Sequence, residues 1–166
     1  MLFILTILRV VHIVAGAFWV GSALMIALVI LPGLRKAGPG SERALPMAQI
    51  SQAMGLSSML TTVAGLLLYV LVSRLALGWI ASSFGLILTL GALAGLAAWL
   101  LGLLSTGPTA KKLAALGGQI QAAGGPPKPE QAAELGRLQA KLVRSSTWST
   151  VLATLALIFM AAARYL

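Results

Sequence analysis

Four long apolar runs constrain this chain more than any other feature of its sequence. They cover about residues 2–31, 54–72, 80–104 and 148–166, and each comes close to the roughly 20 apolar residues that cross a bilayer. Only 9% of the residues are charged, whereas soluble domains carry about 25%. The sequence therefore predicts an all-α protein, an antiparallel four-helix transmembrane bundle that forms one domain over residues 1–166. The first run is expected to be a retained helix and not a cleaved signal peptide, since it is long and begins without a basic segment.

The positive charge of the chain lies mainly in two of the three connections, residues 32–46 and 105–146. These basic residues are Arg35, Lys36 and Arg43 in the first connection, and Lys111, Lys112, Lys128, Arg137, Lys141 and Arg144 in the last. Because Lys and Arg accumulate in cytoplasmic loops, we expect both connections to be cytoplasmic and both termini to lie outside. Topology and attraction to anionic lipid account for the net charge of +9. No nucleic-acid partner is expected.

The two segments around "GGPPKP" have the composition of helices. Pro129 suits the first position of a helix, and Leu135, Leu138 and Leu142 recur beyond it at helical spacing. We therefore expect helices 3 and 4 to extend beyond the bilayer as a cytoplasmic hairpin. The leucines form an apolar seam along this hairpin. We interpret the hairpin as a solvated connector, and the alternative is that the seam is a surface on which a partner docks.

The third apolar run contains a GxxxG pair, Gly91 and Gly95, in the stretch "GALAGLAAWLLG". Small residues at this spacing let two helix backbones approach closely in a membrane. The pair predicts either packing inside the four-helix bundle or a homodimer contact, and the sequence leaves both open.

The first run holds the only histidine of the chain, in "LRVVHIVAGAFWVG". On a helix, one face would carry His12, Gly16, Trp19, Ala23 and Ala27. Small side chains beside an imidazole leave room for a flat, bulky group or for a neighbouring helix. An ionisable side chain within a membrane span is a candidate functional residue, and a structural hydrogen bond is the alternative for His12.

The residue inventory limits what His12 could bind. A zinc or copper site needs several ligands, but the chain has one histidine and no cysteine, and its three acidic residues lie in the connections. The same shortage excludes a hydrolytic triad. Haem iron needs only one proximal histidine, so haem b with His12 as the metal ligand fits the inventory best.

Gly16 and Trp19 on the His12 face are candidates for contact with such a haem, and four further residues join them. Arg9, Arg74 and Arg164 are expected near the outer ends of helices 1, 2 and 4, where guanidinium groups could pair with propionates. Met160 is expected near the depth of His12 and could supply a sixth ligand, as could a second His12 from a twofold-related protomer. Snorkelling arginines and a packing methionine are the alternatives.

The stretch "VHIVAGAFWVG" resembles the first helix of several bacterial membrane families. They are the copper-resistance D family, the N-terminal region of membrane-bound urate oxidase and small four-helix relatives, and their shared pattern is matched by His12, Trp19 and Gly21. Haem-containing protoporphyrinogen oxidase is more distantly similar, but its Leu-Pro-Arg segment with further histidine is not matched. The resemblance covers about one helix in four and implies haem or copper chemistry, with only His12 carried over.

Three functions remain as expectations for this chain in the bacterial inner membrane. The first is a membrane b-type haem protein in electron transfer or redox chemistry with a small redox partner. The second is a copper-handling membrane protein, although Met47, Met54 and Met59 on helix 2 are not spaced to build one site. The third is a structural or accessory subunit without a cofactor. No catalytic residue is identified, and the sequence does not decide whether the chain is an enzyme.

Overall fold

The computed structural model describes residues 2–37 and 46–165, and every element within those ranges is helical. In chain order these elements are α1 (Leu2–Met25), a first π-helical turn (Ile26–Ile30), α2 (Leu31–Ala37), α3 (Met47–Ser73), α4 (Leu77–Ile80), α5 (Ser83–Leu101), a second π-helical turn (Gly102–Thr106), α6 (Gly107–Ala122) and α7 (Pro129–Ala163). Four continuous segments are long and apolar enough to cross a membrane: Leu2–Gly33, Gln49–Ser73, Ser83–Ala122 and Pro129–Ala163. The prediction of an all-α protein with four membrane-length helices is confirmed.

Large apolar side chains cover the outside of the described helices, and small ones fill the inside. Phe3, Ile13 and Leu28 each expose half or more of their surface. The most buried apolar residues include Ala98 at 0% exposure and Ala153 at 2%. A bilayer accepts an apolar exterior that water would not, and small interior residues allow the helices to pack at short distance.

The helices associate mainly as two pairs, α1 with α3 and α5 with α7. In the second pair the GxxxG face of α5 lies against α7: a Cβ added to Gly91 would come within 3.2 Å of Phe159 Cβ and 3.3 Å of the Ala156 carbonyl oxygen. The Ser149 hydroxyl donates a hydrogen bond to the Ala98 carbonyl oxygen at 3.0 Å. Packing within the bundle thus accounts for Gly91 and its partner glycine, and a homodimer through this face stays a prediction.

Among the described residues, the two pairs meet at a small core and at a hydrogen bond between two side chains. The core is formed by Trp19 and Val20 of α1 with Ala98 and Ala153. Farther along the chain, the Tyr69 hydroxyl and Thr89 Oγ1 are 2.7 Å apart. These contacts are fewer than those within each pair, so each pair is the better-packed unit.

The sequence predicts that the first helix ends near residue 31, because the residues that follow are rich in proline and glycine. The structure shows a longer helical segment. It continues through Pro32 to Ala37. The π-helical turn immediately before Pro32 explains why the helix continues. In this turn the amide of Leu31 donates to the carbonyl oxygen of Ile26, five residues back. A proline lacks an amide donor and its ring collides with the carbonyl four residues earlier, and a wide turn next to it relieves that conflict. Pro108 stands in the same relation to the second π-helical turn, where Gly107 donates to Gly102.

The other helix boundaries follow local sequence signals. α3 begins at Met47, directly after Pro46, and α7 begins at Pro129, where the sequence predicts a helix start. The third membrane helix begins at Ser83 and not near residue 80, because the Ser82 hydroxyl accepts the amide hydrogen of Gly85 and caps the helix. Residues 38–45, with Arg43, and residue 166 lie outside the described residues.

We expect Gly91→Val to lower the free energy of unfolding by about 1–3 kcal/mol, the usual cost of overpacking, because the new side chain meets α7. The matched control is Gly21→Val, at a glycine of α1 with nothing within 4 Å of its added Cβ. Both variants would be measured by SDS-induced unfolding in mixed micelles. Equal stability of the two variants would contradict the close approach of α5 and α7.

Candidate functional site

His12 lies at the contact between α1 and α3, half-buried. Its Nδ1 is 2.7 Å from the carbonyl oxygen of Thr61. In return, the Thr61 hydroxyl donates to the carbonyl oxygen of His12 at 2.7 Å. Thr61 is 5% exposed. Each residue thus bonds the backbone of the other helix, and the two bonds together form a reciprocal His12–Thr61 clasp.

Two glycines make the space for this clasp. A Cβ added to Gly65 would come within 2.6 Å of His12 Cε1 and 2.8 Å of Nδ1, so the imidazole ring lies directly on the bare backbone of α3. A Cβ added to Gly16 would come within 2.9 Å of Thr61 Oγ1. The space beside Gly16 is therefore filled by the neighbouring helix, which is one of the two interpretations that the sequence allowed.

The hydrogen bond from Nδ1 fixes the protonation pattern of the neutral imidazole. A carbonyl oxygen can only accept, so Nδ1 carries the proton in its contact with Thr61. In the neutral ring Nε2 then holds a lone pair, and no hydrogen bond to Nε2 occurs among the described residues. Metal-ligating histidines commonly bond a carbonyl oxygen through their other nitrogen in this way.

The remaining members of the predicted His12 face pack inside the protein. Trp19 is 9% exposed and belongs to the small core where the two helix pairs meet. Ala23 and Ala27 are half-buried on the same side of the first helical segment. The face is thus the inward side of α1, and Trp19 occupies its centre.

The three candidate arginines are exposed and lie on separate elements. Arg9 is one turn from His12 on α1. Arg74 ends α3 in a left-handed conformation, with φ of 48°, and Arg164 follows the last residue of α7. The described hydrogen bonds and ion pairs do not join any of them to another residue through its side chain.

Met160 lies at a different helix contact from His12. A Cβ added to Gly91 would be 3.2 Å from Met160 Cγ, which places this side chain between α5 and α7. His12 lies between α1 and α3. The described contacts therefore do not join Met160 to His12, and axial ligation by Met160 stays a prediction.

A multi-ligand metal site is not present in the described part of the chain. No group of three or more His, Cys, Asp or Glu side chains there could hold a metal ion. Met54 packs against the core cluster, whereas Met59 is 50% exposed. These two thioethers therefore do not face a common site for copper.

Sequence reasoning missed Thr61 and Gly65, the residues that position His12. They stand four apart in "TTVAG" on the second helix, and this spacing puts them on one helix face. A hydroxyl and a glycine on one face are common in membrane helices, so they become informative only when their partner helix is known.

Comparison with known proteins adds no relative: neither a protein-family model nor a curated protein or a solved structure matches the sequence.

We expect Gly65→Ala to displace the imidazole, since the added methyl group would overlap it. Loss of the Nδ1 hydrogen bond and the overpacking should lower the free energy of unfolding by about 1–3 kcal/mol. Gly55→Ala is the control on the same helix, because an added Cβ there meets nothing within 4 Å. An unchanged stability of Gly65→Ala would show that His12 does not lie on this glycine.

Proposed function

We propose that this chain is a membrane b-type haem protein with an electron-transfer or redox role, in which Nε2 of His12 is an axial ligand. The observation that carries the proposal is the 2.7 Å hydrogen bond between His12 Nδ1 and the Thr61 carbonyl oxygen. It holds the ring in one orientation and leaves the lone pair on Nε2, as ligation requires. A single histidine suffices for haem iron, and the chain has a single histidine.

The residues around the clasp restrict how a haem would bind. The Gly16 and Gly65 backbones are already covered by Thr61 and by the imidazole itself, so the porphyrin would approach Nε2 from outside the α1–α3 contact. Arg9, exposed one turn away on α1, would pair with a propionate. Bound haem iron would supply one-electron chemistry, and the protein would hold and orient it.

A cofactor-free structural or accessory subunit is the second candidate, favoured by the other half of the clasp. The bond from Thr61 Oγ1 to the His12 carbonyl oxygen joins α1 to α3 without any cofactor. Copper handling has no comparable support among the described residues, since the thioethers of Met54 and Met59 lie apart.

We also propose that the bundle is antiparallel and lies in the bacterial inner membrane, with both termini outside and the α6–α7 hairpin in the cytoplasm. Contacts in both helix pairs support the antiparallel order, because residues later in one helix meet residues earlier in the other. The pairs are His12 with Gly65, Gly16 with Thr61, Gly91 with Phe159, and Ala98 with Ser149. The basic residues of α6 and α7 support the cytoplasmic side for the hairpin.

Haem content of His12→Ala tests the ligand. We expect the protein purified from haem-supplemented cells to show a Soret band and about one haem per chain by the pyridine haemochromogen assay. His12→Ala should lose most of that haem while its yield and detergent-stable size stay near those of the unaltered protein. Full haem occupancy in His12→Ala, or no haem in the unaltered protein, would reject the haem proposal.

Thr61→Val separates the ligand role from the clasp. It removes the hydroxyl bond to the His12 carbonyl oxygen but keeps the Thr61 carbonyl that orients Nδ1. We expect a stability loss of about 0.6–2 kcal/mol, typical of interhelical hydrogen bonds in bilayers, with haem retained. Loss of haem in Thr61→Val at unchanged stability would contradict this division of roles.

Single cysteines test the topology, because the chain has none of its own. Gly78→Cys and Gly125→Cys both replace glycines with open space around an added Cβ. A membrane-impermeant maleimide should label the first in intact cells and the second only after permeabilisation. Labelling of both positions in intact cells would overturn the proposed orientation.

A further inference from the structure

A cleft lies beside the second π-helical turn, which connects α5 to α6, at the point where this turn faces α7. Its volume is about 340 Å³, within the usual range for small-molecule sites. Its walls combine apolar, hydroxyl and cationic groups: Leu101, Ser105, Lys141, Arg144, Ser145 and Trp148. Nothing in the proposed haem function uses these residues, since His12 lies in the other helix pair.

The cations of this cleft are not neutralised by an acidic residue of the described chain. Lys141 and Arg144 are three apart on α7, and both are exposed. The ion pair that the structure does show is between Arg137 and Glu134, at 2.7 Å. The hydrogen bond from Arg137 holds the pKa of Glu134 below its ordinary value, so this carboxylate is already engaged. The cleft therefore presents two positive charges to an outside anion.

Hydroxyl hydrogen bonds lie beside the cleft, and one of them joins the second π-helical turn to α7. Thr106 Oγ1 donates to Ser145 Oγ at 3.1 Å, and Ser145 Oγ donates to the Leu142 carbonyl oxygen at 3.2 Å. Ser145 is 7% exposed. Ser105 also lines the cleft, and its hydroxyl could serve as a further hydrogen-bond donor.

In the proposed membrane orientation, the position of the cleft along α7 would match the boundary between hydrocarbon and water. The last apolar run of the sequence begins at Trp148, whose side chain is 57% exposed. Indole rings favour the headgroup level of a bilayer. In that orientation Leu101 and Trp148 would face the acyl side of the boundary, while Lys141 and Arg144 would lie on its polar side.

We propose that this cleft binds the phosphate headgroup of an anionic phospholipid. Lys141 and Arg144 would pair with the phosphate, and the apolar wall at Leu101 and Trp148 would accompany the first part of the acyl chains. Basic pockets between membrane helices take such headgroups. The apolar wall at bilayer depth favours a lipid as the source of the phosphate, and the site does not depend on the haem proposal.

The test counts tightly held phosphatidylglycerol by native mass spectrometry after reconstitution with equal phosphatidylglycerol and phosphatidylcholine. It is run after washing in 0.5 M salt, because a Debye length of roughly 4 Å removes long-range attraction. The unaltered protein should retain phosphatidylglycerol selectively, and Lys141→Gln/Arg144→Gln should retain about tenfold less of it. The matched control, Lys111→Gln/Lys112→Gln, removes the same charge from exposed positions outside the cleft and should retain it fully.

Each result of this experiment decides the proposal. Equal retention by the two double variants, whether both high or both low, would overturn it, since binding would then ignore the cleft. A parallel thermal-stability measurement adds inorganic phosphate or glycerophosphoglycerol in place of lipid. Stabilisation by these soluble phosphates equal to that by phosphatidylglycerol would overturn the lipid assignment in favour of a soluble ligand.

Discussion

Helices in a bilayer gain nothing by hiding apolar surface from one another, because lipid is as apolar as their side chains. What remains is close packing and hydrogen bonding, and this chain uses both at each of its two main helix contacts. A glycine lets the two helices approach closely in each pair, Gly65 in the α1–α3 pair and Gly91 in the α5–α7 pair. A hydroxyl then bonds a carbonyl oxygen of the facing helix, from Thr61 in one pair and Ser149 in the other. The positions of His12 and of the polar cleft depend on those two contacts.

Hydropathy was enough to predict the four membrane-length helices, and Pro129 was enough to predict the start of α7, because those properties reside in the local sequence. The continuation through Pro32 was not predictable in this way, since it depends on a π-helical turn that no residue type marks. Of the residues that meet at the clasp, His12 and Gly16 were among those that the sequence singled out. Thr61 and Gly65 could not be added because their role requires knowing that α3 is the helix that faces α1.

The same clasp bears both on the stability of the α1–α3 pair and on the ligand role that we propose for His12. A structural histidine and a ligating histidine both bond through one nitrogen, and they differ in what the other nitrogen does. Here Nδ1 is committed to Thr61 and Nε2 is left over. The clasp therefore stabilises the α1–α3 pair whether or not a cofactor is bound, and a haem added to Nε2 would find the ring already oriented.

The third membrane-length segment is interrupted by a π-helical turn, whereas the fourth is one continuous helix. This difference has a mechanical consequence. α7 runs for 35 residues without interruption, about 50 Å at 1.5 Å per residue, so a hydrocarbon core of about 30 Å would leave roughly 20 Å of it uncovered. The path through α5 and α6 is instead interrupted by a wide turn. A force applied to the connection near Gly124 would therefore be transmitted along α7 to Ala153 and Ala156, where α7 packs against α5.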